Sequence, residues 1–397
     1  MEQTKLVPKR RFKVFQNTQA WEQHTISELA DRYDNLRVPI TASDRMPGNT
    51  PYYGANGIQD YVEGFTHCGE FILVAEDGAN DLQNYPVQYV NGKVWVNNHA
   101  HVLQARSEIA DNKFLMNALK QTNIEPYLVG GGRAKLNADV MMKISLRVPE
   151  LAEQKKIGSF FERLDHLITL HQRKLEKTKA LKSAYLSEMF PAEGERVPKR
   201  RFAGFTQPWE QRKFSEIATV RRGLTYKPSD ITENGIRVLR SSNINEDTFE
   251  LRSDDVFVKK DAVNIEPVKE NDILITSANG SSRLVGKHAL INGIKTNMVH
   301  GGFMLLASSM QPYFVNALMS SSWYNKFINV YVSGGNGAIG NLSKGDLESQ
   351  IIYTPSEDEQ IKIGNFFKRL DEIITLHQRK LEKLQNLKKA YLNEMFV

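Results

Sequence analysis

The sequence predicts an α+β fold in which two globular, mixed α/β domains are joined and separated by two long antiparallel helices. Those helices are expected to form an intramolecular coiled coil with pseudo-two-fold symmetry. Three observations predict this. Residues 149–190 recur without a gap as residues 355–396, with 29 of 42 positions identical. A shorter repeat lies upstream of each: VPKRRFKVF…WEQ within 7–23 and VPKRRFAGF…WEQ within 197–211. The stretches between them, 21–148 and 209–354, look little alike. Solenoid repeats run roughly 20–50 residues, far shorter than this unit. One scaffold is therefore written twice, with shared ends and private middles. The expected boundaries are 1–20 for the N-terminal part of the shared repeat, 21–148 for the first variable domain and 149–196 for the central helix. They continue with 197–208 for the shared linker, 209–354 for the second variable domain and 355–397 for the C-terminal helix.

Taken in order, WEQHTISELA at 21–30 reads as an apolar-periodic helix start. Short strands broken by Gly, Asn and Pro follow in PYYGANGIQDY, GEFILVAEDGAND and YPVQYVNGKVWVNNHAHVL, then a helical patch at 111–120. Pro149 ends that domain, and the acidic start ELAEQ suits the positive end of a helix dipole. Beyond it, seam residues alternate three and four apart: Ile157, Phe161, Leu164, Ile168, His171, Leu175, Thr178, Lys182, Tyr185 and Met189. The second copy gives Ile363, Phe367, Leu370, Ile374, His377, Leu381, Leu384, Lys388, Tyr391 and Met395. That spacing is a heptad seam. About 40 helical residues make a rod of about 60 Å, which buries its stripe only against a partner. His171 and His377 sit at equivalent seam positions, either as a two-imidazole metal or proton site or as polar residues that fix register. The second variable domain repeats the order of the first: WEQRKFSEIA, strands through IRVLRSSNI and NDILITSANGSSRLVGKHALI, helix over 312–330, then the loop SGGNGAIGNLSKGDL.

A chain of 397 residues has room for two or three domains, and 41% hydrophobic with 25% charged residues is ordinary for a globular protein. No apolar run approaches the roughly 20 residues of a membrane span, so a cytoplasmic chain with no membrane partner is expected. The single Cys68 forms no internal disulfide and suits a reducing compartment, as a small residue or a reactive thiol. A net charge of +6 permits a polyanionic partner.

Catalytic motifs are missing. Gly335, Gly337 and Gly340 fit a GxGxxG pattern, but no strand–turn–helix surrounds them and the first copy has only GGGRAK at 130–135. GSSRLVGK at 280–287 is one residue too long for a phosphate loop, with His288 where Ser or Thr should hold a metal. HExxH, paired CxxC, GxSxG and the Asn/Asp-Pro-Pro-Tyr motif of amino-methyltransferases do not occur. His99 and His101 have ligand spacing but no close third ligand, so they read as strand positions, and no metal site is expected. The reading is a binder rather than an enzyme.

What the loops do carry suits nucleic acid. In the second middle these are Arg221, Arg222, Tyr226, Lys227, Arg240, Ser241, Ser242, Asn243, Asn279, Ser281, Ser282, Arg283 and Lys287. In the first they are Tyr52, Tyr53, Asn56, Gln59, Asn80, Asn97, Asn98 and His99. Arg pairs bidentately with guanine and Asn or Gln with adenine, while Lys and Ser hold phosphates. The competing reading is that Asn, Ser and Gly simply make turns.

The doubled pattern Glu153-Gln154, Ile157-Gly158, Phe160-Phe161, Leu164-Asp165 and 170–177 recurs as Glu359-Gln360, Ile363-Gly364, Phe366-Phe367, Leu370-Asp371 and 376–383. Over essentially the whole chain it resembles the specificity subunits of type I restriction-modification enzymes. The resemblance implies that each middle is a target recognition domain reading one half of an asymmetric, bipartite site in double-stranded DNA. It implies that the helices set the spacer and dock two modification subunits. Those subunits would methylate adenine N6 with S-adenosylmethionine, and restriction subunits would use ATP and magnesium for translocation and cleavage. No cofactor is expected on this chain. The alternative is a stand-alone DNA-binding or scaffold protein without methyltransferase partners.

Overall fold

The computed structural model describes residues 7–130, 134–332 and 340–396. Gly335 and Gly337 of the GxGxxG match, and residues 131–133 of GGGRAK, lie outside the described residues. The chain folds into two compact units, Met1–Gln172 with Arg379–Val397, and Arg173–Gln378. The fold is α+β, with two repeated domains and two helices of 39 residues each, Leu151–Met189 and Glu357–Met395.

The first unit is built on a six-stranded sheet ordered Ala30–Arg32, Ala100–Ala105, His67–Ala75, Val87–Val96, Pro47–Gly54, Gly57–Val62. Its pairings are antiparallel except that Pro47–Gly54 runs parallel to Val87–Val96. The helix Asn112–Gln121 covers one face. Asp111 caps it by accepting the Phe114 N–H at 2.8 Å, and Phe114, Leu115 and Leu119 pack with Ile72, Val74 and Leu103. Residues 21–30 are not the helix their periodicity predicts. Glu22–Thr25 is a strand paired with Ser145–Val148, followed by one helical turn, Ile26–Leu29. Long-range pairing satisfies this backbone, and Ile26, Leu29 and Ala30 still reach the core.

The second unit has a four-stranded antiparallel sheet ordered Thr219–Arg222, Met304–Ser308, Ile273–Thr276, His288–Leu290. Beside it, Ile231–Leu239 lies between Val256–Val258 and Met298–His300. The helix expected over 312–330 is two, Pro312–Met319 and Ser322–Tyr331. The first closes when the Ser320 N–H turns to the Asn316 and Ala317 carbonyls.

Within each unit the start of one long helix lies antiparallel to the end of the other. In the first, Phe160 meets Tyr391 at 5.2 Å between ring centres, Phe161 meets Phe396, and Asp165 meets Lys388. In the second the equivalents are Phe366 with Tyr185, Phe367 with Phe190, and Asp371 with Lys182. No predicted seam residue is exposed, His171 and His377 being half-buried; Leu164 is buried, and its counterpart Leu370 is half-buried. The lysines at seam positions are explained by their cross-helix ion pairs, 2.7 Å for Lys182–Asp371 and 2.5 Å for Lys388–Asp165.

The short upstream repeat clamps these helices. Arg11 grips Glu153 bidentately and Arg201 grips Glu359, in pairs that are almost fully buried. Arg10 pairs with Glu394 and lies over the Tyr391 ring, while Arg200 does the same with Glu188 and Tyr185. Gly158 and Gly364 are points of close approach between helix and domain. A Cβ on Gly158 would fall 2.4 Å from Asp111 Oδ1, and one on Gly364 2.7 Å from the Phe314 nitrogen.

Candidate nucleic-acid interface

In the second unit, antiparallel pairing brings four chain segments to one end of the four-stranded sheet. Arg222 ends its strand opposite Leu305, Thr276 lies opposite Met304, and Ile275 opposite His288. The loops that leave there carry Arg222–Lys227, Ser277–Arg283, Lys287 and Gly301–Phe303. Gly223 has no room for a side chain, since a Cβ would fall 1.9 Å from the Gly301 oxygen. That contact seats the Arg222 loop against the Gly301 loop. Asn279 Nδ2 donates to Ser241 Oγ at 3.1 Å and so ties in the loop after Leu239. Arg222, Lys227, Ser281, Ser282, Arg283 and Lys287 are exposed on this end.

Other predicted residues there are held within the fold. Asn243 is fully buried, its Oδ1 accepting the Arg240 N–H while Nδ2 donates to the Glu250 carbonyl and to Asp255. Arg221 is held by Glu266 and Asp272 at 3.2 and 3.3 Å. Arg240 is half-buried and donates to the Asp254 carbonyl. Tyr226 packs against Leu224 and Val238, and Ser242 is half-buried with its hydroxyl enclosed. Asn243 is the clear correction, because its amide spends its hydrogen bonds on shaping the loop.

The first unit also gathers its candidates. Asn56 donates to the Gly78 carbonyl at 2.9 Å and accepts the Asn80 N–H at 3.0 Å. Gln59 accepts from Asn97, whose Oδ1 in turn accepts the His99 N–H. His99 Nδ1 lies 2.5 Å from Asp77. Asn56, Gln59, Asn80 and Asn98 are exposed and His99 is half-buried. Tyr52 and Asn97 are corrected to core positions, 1% and 3% exposed. The Tyr52 hydroxyl bonds the Ile40 N–H and carbonyl, and Arg45 covers its ring at 4.3 Å. Tyr53 is half-buried beside Tyr61, and burial raises its hydroxyl above the ordinary range.

Below these loops is a charged network that sequence reasoning missed. His101 lies in the strand Ala100–Ala105 as expected and is buried, whereas His99 sits in the turn before it; His101 Nδ1 faces Asp34 at 2.7 Å and its Nε2 the Leu136 carbonyl at 2.8 Å. Arg37 and Lys135 hold Glu76 at 2.6 and 2.9 Å. Asp34, Glu76 and His101 bring their ligand atoms within 4.8 Å of one another. The two basic side chains already neutralise Glu76, so the cluster reads as an ion-pair network that braces the loops. Burial opposes ionisation of Asp34, but the His101 hydrogen bond and charge, the Val102 N–H and Arg37 outweigh it and keep the carboxyl below its usual range. Burial likewise opposes ionisation of Glu76, and Arg37 and Lys135 outweigh it. Phe303 was also missed. It precedes the buried strand Met304–Ser308, yet it is 70% exposed.

Comparison with known proteins agrees with this architecture. The family described as "Type I restriction modification DNA specificity domain" matches residues 18–180 and 206–386. A putative type I restriction enzyme specificity subunit of Haemophilus influenzae is 44% identical over 146 residues, which are 37% of this chain and 38% of that protein. The MjaVIII type I restriction enzyme specificity subunit of Methanocaldococcus jannaschii is 20% identical over 400 residues, covering 94% of this chain and 91% of that one. In fold, the crystal structure of a type I restriction-modification system S subunit from M. genitalium superposes with a TM-score of 0.73 over 99% of both chains, at 16% identity. No helix among the described residues is long and apolar enough to cross a membrane. With two family matches that together span most of its length, and a domain with a long helix in each, the chain belongs to the type I restriction-modification DNA specificity family.

Proposed function

We propose that this chain is the DNA-recognition subunit of a type I restriction-modification complex and is not itself catalytic. Each unit reads one half of a bipartite double-stranded target with the loops gathered at the end of its sheet. Because the two middles differ, the half-sites differ. The repeated helices fix the spacer between half-sites and dock two copies of a modification subunit, since a doubled surface suits a doubled partner. S-adenosylmethionine belongs to those subunits, and ATP and magnesium to a restriction subunit.

The observation that carries this reading is the convergence, in each unit, of several loops with amide, hydroxyl or basic tips on a braced sheet end. Such tips suit base edges and phosphates. The test is to co-express the chain with its modification subunit and map N6-methyladenine across the host genome. A split, asymmetric motif is expected. Exchanging residues 21–148 for another domain of this family should change one half of the motif and leave the other intact. Alteration of both halves would contradict independent reading, and methyl transfer by the purified chain alone would contradict the non-catalytic assignment. Tight, sequence-specific binding that gains nothing from a modification subunit would favour a stand-alone DNA-binding protein.

A further inference from the structure

The two units share a backbone arrangement that their sequences hide. In the first, the Glu76 N–H donates to the His99 carbonyl and the Leu136 N–H to the Glu76 carbonyl, at 2.9 and 2.7 Å. In the second, the Ser277 N–H donates to the Phe303 carbonyl and the Leu342 N–H to the Ser277 carbonyl, again at 2.9 and 2.7 Å. His101 lies opposite Val74, and Leu305 opposite Ile275. Phe303 therefore occupies the place of His99, at the tip of the equivalent strand.

That tip is stiff. The Phe303 carbonyl accepts a second N–H, from Ala278 at 3.1 Å, and the ladder begins one residue later at Met304. The ring is 70% exposed and joins no aromatic or cation–π pair among the described residues. The loops that leave the same end of the sheet carry the exposed cations Arg222, Arg283 and Lys287, and the hydroxyl of Thr225 lies beside Gly302. A large apolar side chain on a fixed backbone, among loops with basic and polar tips, is the arrangement of an interface anchor. It offers a duplex no hydrogen bond. The one apolar group on a base edge is the C5-methyl of thymine in the major groove.

We propose that Phe303 is a specificity-determining residue that packs on a thymine methyl group in the half-site read by the second unit. The proposal rests on the function proposed above and assigns one contact within it.

The test uses the assembled complex of the full chain with its modification subunits and a duplex carrying the motif found by methylation mapping. Each thymine in the half-site assigned to residues 209–354 is replaced singly by uracil, which removes only the methyl. For the wild-type complex, one such replacement should weaken binding about fourfold, the worth of a buried methyl-sized group. The Phe303→Ala complex should bind the parent duplex more weakly and lose sensitivity to that replacement. Phe303→Leu should restore part of it. Discrimination in the other half-site serves as the folding control and should be unchanged in both variants.

The proposal is overturned if the Phe303→Ala complex keeps wild-type affinity and uracil sensitivity. It is also overturned if every uracil is tolerated while Phe303→Ala abolishes a bend in the DNA, which would make the ring a wedge between base steps. Absence of sequence-specific binding by the wild-type complex would instead strike the function proposed above, and this contact with it.

Discussion

Replacing Gly158 by Ala should destabilise the first unit, although the same change on an exposed helix would stabilise it. Removing a helical glycine gains about 1 kcal/mol. Against that, the new methyl would lie 2.4 Å from Asp111 Oδ1, 3.0 Å from Lys113 Cβ and 3.1 Å from the Phe114 nitrogen. Asp111 must then leave the Phe114 N–H that it caps, a loss of about 1 kcal/mol. Separating the two helices to relieve the remaining overlap costs about 2 kcal/mol more. The net is a destabilisation of about 2 kcal/mol. At Gly364 the obstacles are the Phe314 nitrogen at 2.7 Å and the Tyr313 backbone carbon at 3.2 Å. Backbone does not rotate aside, so Gly364→Ala should cost about 3 kcal/mol. Urea titration of the full chain, with hydrogen exchange to assign each transition to its unit, reads both changes. With a slope of about 2 kcal/mol/M, the Gly158→Ala transition should move down by about 1 M. A midpoint that rises would refute the packing argument, because it would mean that the helix surface at Gly158 is open.

Three further outcomes follow from the same geometry. Glu153→Gln or Glu359→Gln leaves a nearly buried arginine without its charge partner and should cost about 3–5 kcal/mol in its own unit, checked by denaturant melts. Leu164→Ala empties a buried seam position in the first unit and should cost about 2–5 kcal/mol, whereas Leu370→Ala, at a half-buried site, should cost less. Burial lowers the His300 pKa to about 4 from an ordinary 6.5, so below pH 6.5 the unfolded chain takes up a proton that the native imidazole refuses. Stability of the second unit should therefore fall as pH drops from 6.5 to 4, by on the order of 3 kcal/mol, and His300→Asn should flatten that slope in melts across pH.

The repeat made the long helices legible, because a heptad seam is a local signal and the lysines that interrupt it recur at the same place in both copies. The reason for those lysines was not legible, since their aspartate partners lie on the other helix. The same limit hid Gly158, which reads as an ordinary helical glycine until the capped end of Asn112–Gln121 arrives against it. Candidate binding residues were legible as loops but not one by one. Asn243 and Asn97 have the same composition signal as Asn56 and Asn80, and only the surrounding fold decides which amide turns inward. Phe303 gave no signal at all, because an apolar residue heading an apolar strand gives no sign that the ladder starts one position later.

The first unit is discontinuous in the chain. The Arg10 N–H bonds the Glu394 carbonyl at 2.9 Å, and Phe396 stacks on Phe114 inside the core that also holds Trp21. During synthesis on the ribosome, the domain made first therefore waits for the last helical turns, whereas the second unit is one unbroken stretch, Arg173–Gln378. A frameshift or stop codon near residue 380 would spare the nearer domain and leave the distant, N-terminal one with an open apolar face.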